Sequence, residues 1–265
     1  MTRVVAVDWS GRRAGEARAI WTAEVVDGAM VDLRDGRTRA QVIDHLVDLA
    51  LSSEPLVVGL DFSFSVPAWF ARKHGCADVD DVWTLVAEEG ERWLATCPPP
   101  FWGRPGRRRP PDVDQLRTTE ASVGASAGTR PKSFFQIGGA GAVGTGSLRG
   151  MPHLTTLRAA GFAIWPFDPP SRATVVEMWP RLCTGPVVKS RRAARVAHLA
   201  VHHPTVAAAA AATEDAFDAA VSAMVMAGDV EAFRQLPPVS TSVERIEGRI
   251  WLPRRYTSNV PPVRQ

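Results

Sequence analysis

Features that define several common protein classes are scarce in this chain. Its 265 residues include three cysteines, which show neither a CxxC pair nor metal-type spacing. Such a set favours buried thiols in a reducing cytoplasm over disulfides or a structural zinc site. No apolar run approaches the roughly 18 residues that a membrane span needs, and no signal peptide precedes the first predicted strand. We therefore expect a cytoplasmic protein that has no membrane partner.

The sequence also has no strong excess of charge of either sign, so its net charge does not indicate a binding partner. The formal net charge is +3 and the pI about 9.0, and lysine is scarce beside arginine. A mildly basic balance does not by itself indicate nucleic acid, because the placement of the charge decides binding. Hydrophobic residues make up 45% of the chain, which is ordinary for a globular protein. With no internal repeat and no convincing boundary, residues 1–265 are predicted to form a single domain.

Two predicted core strands that each end in an aspartate are the most informative feature of the sequence. A run of small and β-branched residues ends at Asp8, and the same pattern recurs at Asp61. A serine follows each acid by two positions, Ser10 in the first case and Ser63 in the second. A carboxylate at the end of a buried strand is costly unless it is paired, hydrogen-bonded or bound to a metal. If the two strands are parallel neighbours, both acids can reach one ion at the edge of the sheet where α/β proteins bind ligands.

Hydropathy patterns predict alternating strands and helices around these two strands. The Asp27-Gly28 dipeptide is a strong hairpin signal, so the first three strands are expected to be antiparallel. A helical pattern then leads into the strand that ends at Asp61. The other predicted strands are 17–26, 29–33, 174–180 and a late edge strand at 247–253. The predicted helices are 38–51, a short one from Pro67, 80–96 with Asp80 as its N-cap, 189–201 and 213–226.

Three further acids are candidates for a site. Glu177 lies near the exit of a short strand that Pro180 stops. Asp215 and Asp218 are three residues apart on a predicted helix that Thr213 caps, so they share a face. The helix dipole is enough to explain Asp215 in the first turn. Asp218 is harder to explain structurally, because small apolar residues surround it along the helix.

The predicted helix 189–201 is basic on one face. Lys189, Arg192 and Arg195 provide this charge. Such a run is either a solvated face or a surface that contacts substrate phosphates.

The middle of the chain changes composition and is predicted to be an insertion at about residues 98–150. Residues 98–132 are rich in proline and arginine, which indicates either a solvated surface loop or a basic flap over a polyanionic substrate, with Phe101 and Trp102 available for stacking. Residues 139–144 satisfy GxGxxG, but Gly150 and Pro152 are expected to interrupt the helix that a dinucleotide site needs. A glycine-rich turn near a phosphate or the active site is therefore favoured over a dinucleotide fingerprint.

Taken in order, these segments resemble the RNase H-like fold. More narrowly, they resemble the uncharacterised family called domain of unknown function 429, whose members are described as predicted RNase H-like nucleases. The matching segments are Val5-Ala6-Val7-Asp8, Gly59 to Ser63 with Pro67 after it, Val176 to Pro180, Lys189 with Arg192 and Arg195, the Asp215-x-x-Asp218 helix, and Glu247-Gly248-x-Ile250. The resemblance implies an α/β fold whose mixed central sheet, antiparallel in its first three strands and then parallel, is flanked by helices.

The resemblance also implies a metal-dependent nuclease or phosphodiesterase that acts on nucleic acid or another phosphoester. Converging carboxylates would hold one or two Mg²⁺ or Mn²⁺ ions, which activate water and stabilise the leaving oxygen. No histidine is clearly placed as a base. The expected catalytic residues are Asp8, Asp61, Asp218 and Glu177, the expected metal ligands are Asp8, Asp61, Asp215 and Asp218, and the expected substrate-binding residues are Ser10, Ser63, Lys189, Arg192 and Arg195.

Two other classes of function fit the same segments. An ATP-dependent phosphotransferase of the actin or hexokinase type would use the turn at residues 8–11 and the glycine-rich stretch 138–147 to hold phosphate. The chain is short for the two full lobes of such a protein. A nucleic-acid-binding module without catalysis is the second alternative, and it would bind its ligand without needing Asp8.

Overall fold

A six-stranded mixed sheet, with helices on both faces, forms the centre of the protein. The computed structural model describes residues 1–126, 130–206 and 208–257. The sheet order is β3-β2-β1-β4-β6-β5, with antiparallel pairing among the first three strands and parallel pairing among the others. This confirms the predicted α/β class and the mixed sheet. The strands are β1 (Arg3–Asp8), β2 (Trp21–Val26), β3 (Ala29–Arg34), β4 (Leu56–Leu60), β5 (Ala163–Ile164) and β6 (Ala173–Glu177).

The helices form two layers. Helices α2, α4 and α6 share one hydrophobic core with one face of the sheet, and α9 covers the other face against β1 and β2. The helices are α1 (Glu16–Ala19), α2 (Arg39–Ala50), α3 (Ala68–Lys73), α4 (Val79–Thr96), α5 (Thr118–Ser126), α6 (Val143–Ala159), α7 (Pro180–Thr184), α8 (Arg192–His202), α9 (Glu214–Gly228), α10 (Glu244–Glu247) and α11 (Arg254–Thr257). None of those in the described ranges combines the length and the apolar character that crossing a bilayer requires.

Alternation along the strands decides which layer each residue contacts. Val5 and Val7 of β1 belong to the core under α2, whereas Ala6 belongs to the core under α9. Gly59 of β4 lies on the α9 face, where a β-carbon would stand 2.6 Å from the sulfur of Met226. Glycine at this position therefore lets α9 lie close to the centre of the sheet.

Local capping chemistry explains why several predicted elements form where they do. Thr38 begins α2 with a capping box, in which its hydroxyl accepts from the Gln41 amide and the Gln41 side chain accepts from the Thr38 amide. Asp27 and Gly28 both have positive φ angles, as the tight β2–β3 turn requires. Thr213 caps α9, because its hydroxyl accepts from the amide of Ala216 at 3.0 Å.

Four predicted boundaries are wrong for local reasons. Residues 16–19 form the short helix α1, so the strand predicted from residue 17 begins at Trp21. Asp78 rather than Asp80 caps α4, since its carboxylate accepts from the amides of Asp80 and Asp81. The basic helix begins at Arg192, which leaves Lys189 in the preceding loop. In place of the late strand predicted at 247–253, Glu247 is the last residue of α10, and Ile250 forms one isolated bridge with Glu177.

The expected helix break at Gly150 and Pro152 is also wrong, because α6 runs through both residues. Gly150 faces the ring of Phe62, where a β-carbon would stand 2.7 Å from ring carbons. The glycine therefore allows close packing of the helix. The carbonyl of Leu148, which Pro152 cannot bond in the helix, lies beside Gly90 of α4.

The predicted insertion contributes to the hydrophobic core and is not wholly a surface loop. Phe101 is buried and stacks on Trp93 with ring centroids 5.2 Å apart, so it is not free to stack on a substrate. Trp102 is partly buried and donates its indole N–H to Gln115 at 2.8 Å. No strand precedes the glycine-rich stretch in the described chain, because Gln136 forms a single bridge with Trp102. The absence of this strand removes one condition of the dinucleotide alternative, and the burial of Phe101 removes its proposed stacking role.

Candidate carboxylate site at the carboxyl ends of the strands

Asp8 and Asp61 lie side by side where β1 and β4 end. The parallel register pairs Val7 with Leu60, and the amide of Asp61 donates to the carbonyl of Val7 at 3.1 Å. Adjacent strands are roughly 4.8 Å apart, so the next residue on each strand carries its side chain to a common place. The structure thus brings together two acids that are 53 positions apart in the sequence.

Asp218 reaches the same place from α9. It is buried, at 7% exposure, among the small residues with which α9 contacts the sheet. One carboxylate oxygen, Oδ2, pairs with the ammonium of Lys189. The other, Oδ1, is buried and has no hydrogen-bond partner among the described residues. Asp215, one turn earlier, is exposed at the rim of the site.

Asp8 and Asp218 are buried and Asp61 is partly buried, and the electrostatics of the three acids show how strongly they interact. Burial raises the pKa of Asp8 well above its usual range, and the charges of Asp61 and Asp218 raise it further. Burial and the Asp218 charge raise the pKa of Asp61 to about 8. Burial also raises the pKa of Asp218, although Lys189 opposes that effect. All three carboxyl groups therefore hold a proton more readily than an ordinary aspartate does, and Lys189 opposes this at Asp218.

The donor set suits a hard divalent cation, although the free chain does not present a finished metal site. Hydrogen bonds to the side chains of Asp8 and Asp61 are absent from the described part of the protein. Within the same residues, no three histidine, cysteine, aspartate or glutamate side chains are arranged to hold an ion as they stand. The Oδ1 atom of Asp218 is buried and lacks a donor among the described residues. Buried carboxylate oxygens without donors fit Mg²⁺ or Mn²⁺ better than soft metals.

Glu177 ends β6 next to Asp61, but its oxygens are already in use. Oε2 accepts from the amide of Phe64 at 2.9 Å and from Arg117 at 2.8 Å, and Oε1 accepts from Arg117 as well. Arg117 is completely buried. Burial raises the pKa of Glu177, and Arg117 opposes this. The geometry favours a role for Glu177 in positioning its neighbours, and its catalytic role stays a prediction.

Sequence reasoning missed most of the network around Arg117. The guanidinium also bonds the Glu120 carboxylate and the carbonyl of Glu247. The Glu247 carboxylate accepts from the amides of Ala68 and Thr118. The three-residue spacing of Arg117 and Glu120 was a usable signal for a helical pair. No local signal linked either residue to Glu177 or Glu247.

The predicted basic residues take different positions. Arg195 is buried and donates to the carbonyls of Ala211, Ala212 and Lys189, so it ties the Lys189 loop to the start of α9. Arg192 is exposed at the first turn of α8. Lys189 is therefore the predicted cation that the structure brings to the acids.

A cavity of about 440 Å³ reaches the site at Asp61. Both predicted serines line it. The Ser10 hydroxyl accepts from the amide of Arg12, and the Ser63 amide donates to the hydroxyl of Ser147. Among its lining residues are Ser10, Asp61, Ser63, Glu120, Lys132 and Glu177.

Comparisons of the chain with protein-family models, with curated proteins and with solved structures found no match. The functional argument therefore depends on the residues of this site.

Proposed function

We propose that the protein is a metal-dependent phosphodiesterase of RNase H-like type that acts on nucleic acid. The observation that carries this proposal is the convergence of Asp8, Asp61 and Asp218, from three separate elements, with the Lys189 ammonium paired to Asp218. The sheet order and the resemblance to domain of unknown function 429 support it.

The roles of the residues follow from their positions. Asp8, Asp61 and Asp218 would hold one or two Mg²⁺ or Mn²⁺ ions, with Asp215 at the rim. Bound ions would supply an activated water and stabilise the leaving oxygen of a phosphodiester. The raised pKa values of the acids mean that protons must leave when a cation binds. Lys189 balances part of the negative charge in the free protein and stands where a substrate phosphate can meet a positive group.

The decisive experiment measures Mn²⁺-dependent hydrolysis of single-stranded DNA and RNA. We expect Asp8→Asn to lose about 1,000-fold or more in rate, because removing a ligand removes transition-state stabilisation worth several kcal/mol. Asp48→Asn, an exposed aspartate on α2, is the matched control and should keep wild-type activity. An Asp8→Asn variant that hydrolyses both polymers at the wild-type rate would overturn the assignment.

One backbone contact supports the alternative function, an ATP-dependent phosphotransferase. A β-carbon on Gly11 would stand 2.4 Å from the backbone of Thr145 and 2.5 Å from that of Gly146, so the turn after β1 lies directly on the glycine-rich start of α6. This places two candidate phosphate-binding segments together. Thermal stabilisation by Mg²⁺-ATP, without hydrolysis of either polymer, would favour this function over the nuclease.

A further inference from the structure

Two of the acids near Asp61 already have a cation of the protein as their partner. Burial raises the pKa of Asp61 most, and the charges of Asp218 and Glu177 add to this rise, so both acids lie near it. Both carboxylate oxygens of Glu177 accept from the guanidinium of Arg117. Oδ2 of Asp218 pairs with the ammonium of Lys189. Neither acid therefore has its full charge left for a metal ion.

Asp8 and Asp61 have no such partner. The ion pairs among the described residues include Glu177 and Asp218 but neither of these two acids. The two lie on adjacent parallel strands, where their carboxylates can share one ion. Oδ1 of Asp218 is the other buried oxygen that lacks a donor within the described ranges. The oxygens that remain free are thus grouped around one ion position.

The backbone of Lys189 is tied to the helix that carries Asp218. Arg195 is buried and donates to the carbonyl of Lys189. The same guanidinium donates to the carbonyls of Ala211 and Ala212, shortly before α9 begins. The lysine side chain is only 23% exposed. Its ammonium is therefore built into the site and differs from the charge of a free surface lysine.

The charge of Lys189 acts on the whole group of acids. Burial raises the pKa of four carboxyl groups here, and the ammonium opposes that rise in each of them; they belong to Asp8, Asp61, Asp215 and Asp218. Once deprotonated, the three inner carboxylates and the ammonium leave two negative charges, which one divalent ion neutralises. A second ion, about 4 Å from the first as in two-ion sites, would be repelled by both that ion and the ammonium.

We propose that the site holds a single divalent ion between Asp8 and Asp61, and that the Lys189 ammonium takes the place of the second ion of a two-ion site. The inference rests on the proposed phosphodiesterase function and specifies its ion count. An ammonium has three N–H donors, and Asp218 uses one of them. The others are left for a phosphate oxygen of the substrate, whose charge a second ion would otherwise stabilise.

The test counts Mn²⁺ ions per chain by calorimetry, starting from metal-free protein. We expect one ion in the wild type and two in Lys189→Met, because this substitution removes the charge that repels the second ion. Lys189→Arg keeps the charge and should bind one ion. Lys73→Met, which changes an exposed lysine on α3, is the matched control and should also bind one.

Electron paramagnetic resonance gives a second readout that does not depend on activity. Two Mn²⁺ ions about 4 Å apart give a spin-coupled spectrum, which we expect in Lys189→Met and not in the wild type. Two ions in the wild type, or one ion in Lys189→Met, would overturn this inference while the phosphodiesterase function stands. A wild type that binds no Mn²⁺ would overturn both. One bound ion without hydrolysis of DNA or RNA would overturn the function and support the ion count.

Discussion

Two clusters of acids lie at the same end of the sheet. They differ in how many hydrogen-bond and charge partners the protein gives their carboxylates. In the cluster around Arg117, every carboxylate oxygen of Glu120, Glu177 and Glu247 accepts at least one hydrogen bond. All five N–H groups of the guanidinium donate as well. This cluster is complete in the free chain.

The neighbouring cluster of Asp8, Asp61 and Asp218 is incomplete. Lys189 contacts one oxygen of Asp218, and burial together with mutual repulsion raises the pKa of the acids. A buried charge without partners costs folding free energy, and proteins keep such costs mainly where function needs them. We interpret the acids of the first cluster as holding the fold, and we propose that those of the second bind a ligand.

The largest expected effect comes from breaking the complete cluster. Arg117→Met should lower the free energy of unfolding by about 3–5 kcal/mol, because it leaves Glu120 and Glu177 buried without their shared cation. Urea unfolding measures this, with exposed Arg191→Met as the control that should stay within about 0.5 kcal/mol. A loss below about 1 kcal/mol in Arg117→Met would mean that the network does not hold the fold.

In the incomplete cluster we expect a substitution to raise the free energy of unfolding, not to lower it. The pKa of Asp61 is about 8 in the folded protein and near its ordinary value of 3.8 when unfolded. The folded state therefore binds more protons between these values, and stability falls as pH rises from about 4 to about 8. Asp61→Asn removes this penalty.

Without divalent metal, Asp61→Asn should be more stable than wild type by on the order of 2–4 kcal/mol at pH values above about 8, and by little near pH 4. Urea unfolding at both ends of that range, in the presence of a chelator, measures the difference. A variant that is less stable than wild type at the alkaline end would show that Asp61 is compensated after all.

Much of the incomplete cluster could be predicted from the sequence. Buried runs ending in Asp8 and Asp61 predicted two strands with acids at one edge, and the structure makes those strands neighbours. The crowding of small residues around Asp218 indicated that its helix lies close to the sheet. These features depend on residues that are neighbours or regularly spaced in the sequence, so hydropathy patterns can reveal them.

The complete cluster could not be predicted in this way. Arg117 bonds partners 60 and 130 residues away, and its neighbours have the composition of a solvated loop. Gly150 and Pro152 look like helix breakers, and only the nearby ring of Phe62 shows why a glycine is needed there. Such contacts depend on tertiary packing, which overrides local propensity.

A bound metal ion should stabilise the folded protein, because it would give the carboxylates of Asp8, Asp61 and Asp218 the positive partner that they lack. Mn²⁺ at about 100 times its dissociation constant should stabilise the wild type by about 2.7 kcal/mol. The effect should grow as pH rises through the pKa values of the acids, because bound ions compete with protons. Asp218→Asn should show most of this stabilisation lost. Thermal unfolding with and without Mn²⁺ measures it, and equal stabilisation of both proteins would place the ion elsewhere.

The smallest expected effect concerns Lys189, the ion-pair partner of Asp218. Lys189→Met should destabilise the metal-free protein by about 1 kcal/mol, because it leaves Asp218 without its ion-pair partner in a partly exposed site. With saturating Mn²⁺ the difference should shrink or change sign, because the ion then supplies the positive charge and no longer faces a neighbouring ammonium. Thermal unfolding of both proteins in chelator and in Mn²⁺ gives the four values needed. A deficit that stays the same in both conditions would mean that Lys189 and the ion do not share a site, and that the acids have a purely structural partner.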